Sequence, residues 1–505
     1  MTSFLNVVLV ITFYQTGPDG LFYFSKVFNL ILQSAILKKL KSLPDYEVKQ
    51  NNFFIECIST KNIMKEQGWK IHISASNNNY IHILKEVIRI IVPLNVSFKW
   101  VSIKNRNIML TKDFLREQAG KFITIYPQNN IQFQVLCRIF QKKLRQYSGV
   151  PILTDKSIGN VISIRYGGFK KILDYDNEGD GIYCIRDTNK KLVYDRREIG
   201  IYKPEWITEN FVKPLNNLYP KQKSKLLEQY NFKNALQFTN YGGVYEAIQK
   251  KDNLHVVIKE AKKYFGGNIF NNSFPKDVRS IRRNEYLILQ KISLINATPK
   301  PISYFKEKSG DYLVEKYVSG DLLRTLRLEN PLYYPNATED EYNQYLKKLS
   351  HIFLDLYFKI NKINKNGIIL NDLTPNNIIV DLKTNSAKII DLESSVDLSC
   401  EKPTYPLFVT PGYSEYFYSK KLSTNDDFSW VMCLIDMLIA RAQLLNINIK
   451  LIIQSLEFCR EIQDSWAQLC THLILYLEHY KNNSKTQNCI KEILSDLNKE
   501  IQIYG

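Results

Sequence analysis

The chain has 505 residues, 45% of them apolar, and a formal charge of +18. Its length leaves room for roughly three domains of ~150 residues, and the apolar share suffices for buried cores, which excludes a disordered chain. The positive excess lies mostly before residue 210 and predicts an anionic ligand there. Nucleic acid is not the expected partner, because no run of five Lys or Arg and no zinc-finger, helix-turn-helix or RNA-binding signature accompanies the charge. The cysteines are scattered, with no CxxC pair and no histidine at metal spacing, as expected of reduced thiols in a cytoplasmic protein.

Phe4–Phe13 (FLNVVLVITF) lacks a basic flank and is too short to cross a bilayer, so it reads as a buried strand, and no membrane span is expected elsewhere. Phe22–Leu43 has helical spacing and a basic end, which suits a cap on the first domain. From Gly68 the pattern becomes strand, helix, strand: GWKIHISAS, Ile81–Ile91, then Val96–Ile103. Lys70 and His72 are two apart on one strand and therefore share a face, which Lys99 could join from a neighbour. GKFITIYP adds Lys121, ISIRYGGF adds Arg165 and Tyr166, and VYDRRE adds Arg196 and Arg197.

A single face holding that many cations is costly to desolvate without an anion. Its inventory fits removal of phosphate from phosphoserine or phosphothreonine. Such a step needs a base for the Cα proton, cations for the phosphate and an acid for the leaving oxygen. A lysine titrates near ~10.4 in water, but burial among cations brings it toward ~7–8, where it can act as the base, and a histidine can act as the acid. Simple phosphopeptide binding fits the same residues.

GWKIHISA, SFKW, GKFITIYP, IRYGGF, DRRE and PEW, in this order, resemble the lyase domain of class III and class IV lanthipeptide synthetases, itself similar to bacterial phosphothreonine lyases. The resemblance covers about residues 68–210. It implies His72 as general acid, Lys99 as general base, and Lys70, Lys121 and Arg165 around the phosphate, with Tyr166 and Arg196 as weaker carry-overs.

Residues 211–228 read as a linker. FTNYGGVYEA from Phe238 and VVIKEA with Lys259 read as two strands around a glycine turn, in which Gly242 and Gly243 would let the backbone approach nucleotide phosphates. In RRNEYLILQKI (Arg282–Ile292), an amphipathic helix, Glu285 could pair with Lys259. YLVEKYVS (Tyr312–Ser319) resembles a segment that joins two lobes and borders an adenine, with Glu315 and Tyr317 offering backbone hydrogen bonds.

Asn371–Asp381 (NDLTPNNIIVD) and Lys388–Glu393 (KIIDLE) carry the chemistry of phosphoryl transfer: Asp372 near an incoming hydroxyl, and Asn377 and Asp391 on Mg²⁺. Leu370 and Asn371 stand where protein kinases have His-Arg, so regulation by a phosphorylated loop is not expected. Glu393 ends a DLE triplet in place of DFG and adds a metal or charge contact. NYGGVY, VVIKEA, DLTPNN, IDLE and TPGY (Thr410–Tyr413) resemble the kinase domain of the same lanthipeptide synthetases, with Asp426 at the position that buttresses the catalytic loop. Residues from Phe428 to about Leu497 read as helical.

The expected fold class is α+β multidomain. A phosphothreonine-lyase-like α/β domain with its cap spans residues 1–210, and a bilobal protein-kinase-like domain spans 229–505. The expected activity is phosphorylation of Ser or Thr in a ribosomal precursor peptide with a leader, using ATP or GTP and Mg²⁺, followed by elimination to dehydroalanine or dehydrobutyrine. The family's cyclase has CG and CH dipeptides that are missing here, so a separate cyclase is an expected partner unless the sequence is part of a longer protein. A kinase with a binding-only N-terminal domain and a non-catalytic peptide scaffold are the alternatives.

Overall fold

Alternation of apolar and polar side chains runs in phase through neighbouring strands of the first sheet, and it decides how the domain is layered. The computed structural model describes residues 31–200, 202–207, 224–266, 277–400, 410–415, 425–439, 448–480 and 482–503. The expected strand at Phe4–Phe13 and residues 211–223 of the linker lie outside them, whereas residues 31–41 are helical as expected (α1).

The first sheet has seven strands: β1 (Tyr46–Gln50), β2 (Phe54–Ser59), β3 (Gln67–Ile73), β4 (Ser97–Val101), β5 (Ile123–Tyr126), β6 (Lys156–Ser157) and β7 (Ile162–Gly168). They are ordered β1-β2-β4-β5-β3-β7-β6, with each neighbouring pair antiparallel. Ile55, Trp100, Ile123, Ile73 and Ile162 line up across five strands, as do Cys57, Phe98, Ile125, Ile71 and Ile164. That face is covered by α2 (Tyr80–Ile91) and α4 (Asn130–Lys143), whose Ile83, Leu84, Val87, Phe133, Leu136 and Phe140 join the same core. Between them in sequence lies the short helix α3 (Ile103–Met109). A small sheet of β8 (Leu173–Tyr175), β9 (Gly181–Arg186) and β10 (Leu192–Tyr194) follows β7.

The second domain has two lobes. Its small lobe is a five-stranded sheet of β11 (Tyr230–Phe238), β12 (Gly243–Gln249), β13 (His255–Lys262), β14 (Pro301–Lys306) and β15 (Gly310–Lys316), ordered β11-β12-β13-β15-β14, with helix α5 (Val278–Lys291). The large lobe is helical: α6 (Glu339–Lys365), α7 (Asp427–Leu438), α8 (Ile449–Ile462), α9 (Ala467–His479) and α10 (Asn483–Ile503). Thr338 and Glu341 form a reciprocal capping box that starts α6.

The core of the first domain continues into the second. Tyr241, Ala261, Phe265 and Val278 of the small lobe belong to the hydrophobic cluster of the first sheet and its helices. Among the described residues no helix is long and apolar enough to cross a membrane.

Candidate active sites

The face of the first sheet opposite its helices is polar. Glu56, Lys99, Thr124, His72, Ser163 and Ser157 stand in one lateral row across six strands. Lys70 and Arg165 are cross-strand partners two residues along from His72 and Ser163. His72 and Lys99 are separated by one intervening strand, about 10 Å at the usual strand spacing.

Two buried carboxylates that the sequence did not single out organise this face. Asp155 accepts a hydrogen bond from His72 Nδ1, takes another from Thr154 Oγ1 at 2.7 Å and lies 3.8 Å from Lys121 Nζ. Asp195 binds Arg165 Nη2 at 2.5 Å and Arg197 Nη2 at 3.2 Å, and accepts from the Gly168 amide at 3.3 Å. Gly167 is required here, because a Cβ would meet Asp195 Oδ1 at 2.8 Å and Lys70 Nζ at 3.3 Å.

Burial, then the neighbouring Arg165, pushes Lys70 well below the ordinary lysine range, despite Asp195. Burial brings Lys121 to about 8 against the pull of Asp155. Lys99, whose ammonium lies 4.2 Å above the Phe54 ring, is lowered by burial and by Arg197, with Glu56 opposing. His72 is pushed to about 4 by burial, with Lys121 and Lys70 adding to the effect and Asp155 resisting it. Against burial, His72 and Lys121 hold the Asp155 carboxyl below its ordinary range, so the pair is a carboxylate accepting Nδ1–H from a neutral imidazole.

Two expected phosphate ligands are placed elsewhere. Tyr166 pairs with Trp69 on the helix-covered face, where their rings meet edge to face at 5.8 Å and its hydroxyl accepts from Gln67. It is one residue from Arg165 and so points the other way. Arg196 is exposed, with its guanidinium over the Tyr202 ring. The flanking Asp195 and Arg197 turn inward instead, and Arg196 contributes its carbonyl, which accepts from Arg165 at 2.5 Å.

In the second domain the center of the site is Lys259. Its Nζ lies 2.6 Å from Glu285 Oε1, 3.3 Å from Glu315 Oε1 and 3.8 Å from Asp391 Oδ1. Against burial, these carboxylates hold the ammonium above the ordinary lysine range. The other Glu285 oxygen accepts from Arg282, which also reaches Glu393 Oε2 at 3.5 Å.

The catalytic loop is fixed from below. Asp426, at the start of α7, accepts from the amides of Leu370 and Asn371 at 3.0–3.1 Å and from Asn364 Nδ2 at 2.7 Å. Asn377 Nδ2 bonds the Asp372 carbonyl at 2.9 Å and its carboxylate at 3.3 Å, and the Thr410 amide donates to Asp372 Oδ1 at 2.9 Å. Asn371 and Asp391 have left-handed backbones, φ 62° and 60°, which Asn and Asp tolerate better than most residues. Tyr413 of TPGY donates to the buried Asp436 at 2.6 Å, and Asp436 also pairs with Arg327.

Several nucleotide-site expectations change. Gly242 has φ 158°, and a Cβ there would meet the Glu260 carbonyl at 2.2 Å. The Gly243 amide donates to Glu260 Oε2 at 3.0 Å, so the glycine turn is fitted to β13 rather than held open for phosphates. Glu315 turns its side chain inward to Lys259, and burial pushes it to about 7 with Lys259 only partly offsetting. The Tyr317 amide donates to the His255 carbonyl at 3.0 Å and its ring stacks on His255, so that amide is already used and does not offer the hydrogen bond expected of it. Glu393 is taken by Lys112 and Arg282, making it a charge contact and not a metal ligand.

Asp391 and Asn377 remain as oxygen donors, the Asp391 side chain being 31% exposed. Among the described residues no group of three or more His, Cys, Asp or Glu could hold a metal. A two-residue oxygen site suits Mg²⁺, which takes one or two carboxylates and completes its shell with water and phosphate oxygens.

Comparison with known families matches residues 36–223 to the RamC N-terminal domain and residues 230–500 to the protein kinase domain. The probable SapB synthase of Streptomyces coelicolor is 28% identical over 340 residues, covering 65% of this chain and 35% of that protein. Serine/threonine-protein kinase 1 of African swine fever virus, isolate Pig/Kenya/KEN-50/1950, is 33% identical over 104 residues, covering 18% of this chain and 35% of the kinase. Its counterpart from the Pretoriuskop tick isolate is 26% identical over 147 residues, covering 28% and 44%. The chain thus spans less than half the length of these curated relatives. With a RamC-type N-terminal domain ahead of its kinase lobes, as in lanthipeptide-synthetase-like proteins, the chain belongs to the protein kinase domain family.

Proposed function

We propose that the chain dehydrates Ser or Thr residues of a precursor peptide in two steps, phosphorylation in the kinase domain and elimination in the N-terminal domain. The observation that carries this reading is the polar sheet face, where His72 and Lys99 share a row beside a buried cluster of cations. With its cations protonated, Lys70, Lys121, Arg165 and Arg197 against Asp155 and Asp195 leave an excess that matches a phosphomonoester dianion.

In the first step Asp372 orients the peptide hydroxyl and accepts its proton, Asn377 and the Thr410 amide hold the carboxylate in place, and Lys259 meets the nucleotide phosphates. A protein kinase domain implies ATP, with GTP as an alternative donor. Asp391 and the Asn377 side-chain oxygen would hold Mg²⁺, which neutralises developing phosphate charge when bound.

In the second step Lys99 Nζ takes the Cα proton. The C–H electron pair becomes the Cα=Cβ bond, the Cβ–O bond breaks, and inorganic phosphate leaves on Lys70, Lys121, Arg165 and Arg197. His72 protonates the departing oxygen. A phosphate dianion raises its proton affinity by attracting the imidazolium and offsetting Lys121 and Lys70, while Asp155 accepts Nδ1–H from the imidazolium. The partner this chemistry calls for is a ribosomal precursor peptide with a leader, met in the reducing cytoplasm.

The neutral His72 also favors a second reading, in which the N-terminal domain binds the phosphopeptide without eliminating phosphate. Incubating the chain with a synthetic phosphoserine peptide separates the two. Release of inorganic phosphate with formation of dehydroalanine supports elimination, and recovery of intact phosphopeptide supports binding alone.

A further inference from the structure

The turn between α3 and β5, residues 110–116, belongs to the N-terminal domain but touches the kinase's small lobe at the parts that position Lys259 and Glu285. The Leu110 carbonyl accepts from the Gly266 amide at 3.1 Å, after β13. Asn240, in the glycine turn, donates through its backbone to the Lys112 carbonyl at 3.2 Å and through Nδ2 to the carbonyls of Thr111 and Phe114 at 3.1 and 2.6 Å. Arg116 lies 4.7 Å from the Phe238 ring centroid. Val278, the first residue of α5, is in the N-terminal core, whereas Ile288 and Leu289 near its end are in the large-lobe core.

Lys112 extends from this turn into the kinase site, where its ammonium binds Glu393 Oε1. The ion pairs then alternate in sign across the domain boundary: Lys112, Glu393, Arg282, Glu285, Lys259, Asp391. Without Lys112, Glu393 would be a largely buried carboxylate whose remaining cation is Arg282, the residue that also holds Glu285. Lys112 is the cation on the Glu393 oxygen that Arg282 does not reach. Losing that cation sets Glu393 and Glu285 in competition for one guanidinium.

We propose that Lys112 is a positioning residue of the kinase site, through which the N-terminal domain holds Glu393 and keeps Glu285 on Lys259. This rests on the reading of that site as a phosphoryl-transfer center. The N-terminal domain is then part of the kinase's working geometry as well as the place where phosphate leaves.

The test uses the full chain with Lys112→Met and Lys112→Arg. MgATP hydrolysis is measured without peptide, amide exchange is followed in Val278–Lys291, and phosphate release from a synthetic phosphoserine peptide reports whether the N-terminal domain is folded. The expected result for Lys112→Met is a kcat about tenfold lower with KM for ATP within about threefold, and faster exchange in α5. Lys112→Arg recovers most of the loss, and elimination is unchanged throughout. Unchanged kcat and unchanged exchange in Lys112→Met would overturn the proposal. If the unsubstituted chain hydrolyzes no ATP, the phosphoryl-transfer reading fails, and exchange alone then decides on Lys112: faster exchange upholds its hold on α5 and unchanged exchange refutes it.

Discussion

Asp155 accepts a hydrogen bond from His72 Nδ1 with both side chains buried, its second oxygen bonded by Thr154 and 3.8 Å from Lys121. This fixes the imidazole tautomer and, in the proposed elimination, makes Nε2 the atom that would give its proton to the substrate. Asp155→Asn should lower elimination from a phosphoserine peptide by roughly 10²–10⁴-fold, the range for disabling an acid–base group, and shift its pH profile. Phosphorylation by the same variant should stay at the unsubstituted rate. Equal loss of both activities would mean that Asp155 serves folding only.

Arg196 and Arg197 offer a direct comparison, because only the second turns toward the cluster. Arg197→Ala should raise KM for a phosphopeptide by about 10–100-fold through loss of a charge-assisted contact, whereas Arg196→Ala should change it by less than about twofold. Steady-state kinetics on one phosphopeptide decides, and the reverse order would contradict the placement.

The lowered proton affinity of His72 makes stability depend on pH with a defined sign. Its folded value, about 4, lies below the ordinary 6.5, so the unfolded chain binds the proton more readily. Stability from the neutral imidazole is therefore complete above the unfolded value and is lost as pH falls from about 6.5 toward 4. Urea unfolding of the N-terminal transition should show a loss on the order of 2–3 kcal/mol over that window, reduced in His72→Gln. A bound phosphopeptide, which favors imidazolium, should flatten the dependence.

Much of this arrangement was legible in the sequence because strand alternation is local. Lys70 and His72 had to share a face, and the apolar partners of each strand had to form the other. Tyr166 enters only through the family resemblance, and strand parity sets it on the face opposite Arg165, beside Trp69. Asp155 and Asp195 gave no local signal: one stands alone before β6, the other is hidden among arginines, and both matter through partners far away in sequence. Lys112 could not be read at all, because its role arises only when two domains meet. In the kinase lobes, the Lys259–Glu285 pair and the loop residues were readable from spacing. The inward turn of Glu315 and the use of the Gly243 amide by Glu260 depend on strand packing that spacing does not encode.

Asp426 accepts three hydrogen bonds from the catalytic-loop amides and one from Asn364 while fully buried. Asp426→Ala leaves those donors without their acceptor and should destabilize the large lobe by about 3 kcal/mol, with loss of phosphorylation. Differential scanning calorimetry and a phosphorylation assay check this, and elimination from a phosphopeptide should persist at temperatures below the shifted transition.

In the proposed two-step reaction one chain both installs and removes a phosphate. Asp372→Asn should lose phosphorylation by roughly 10²–10⁴-fold yet still eliminate phosphate from a synthetic phosphopeptide. The most direct measurement is the intact mass of a serine-containing precursor peptide after incubation with nucleotide, Mg²⁺ and Lys99→Ala. Phosphopeptide should accumulate where the unsubstituted chain yields peptide short of one water per modified residue, as expected if Lys99 is the base of the proposed elimination. Continued loss of water with Lys99→Ala would contradict that role.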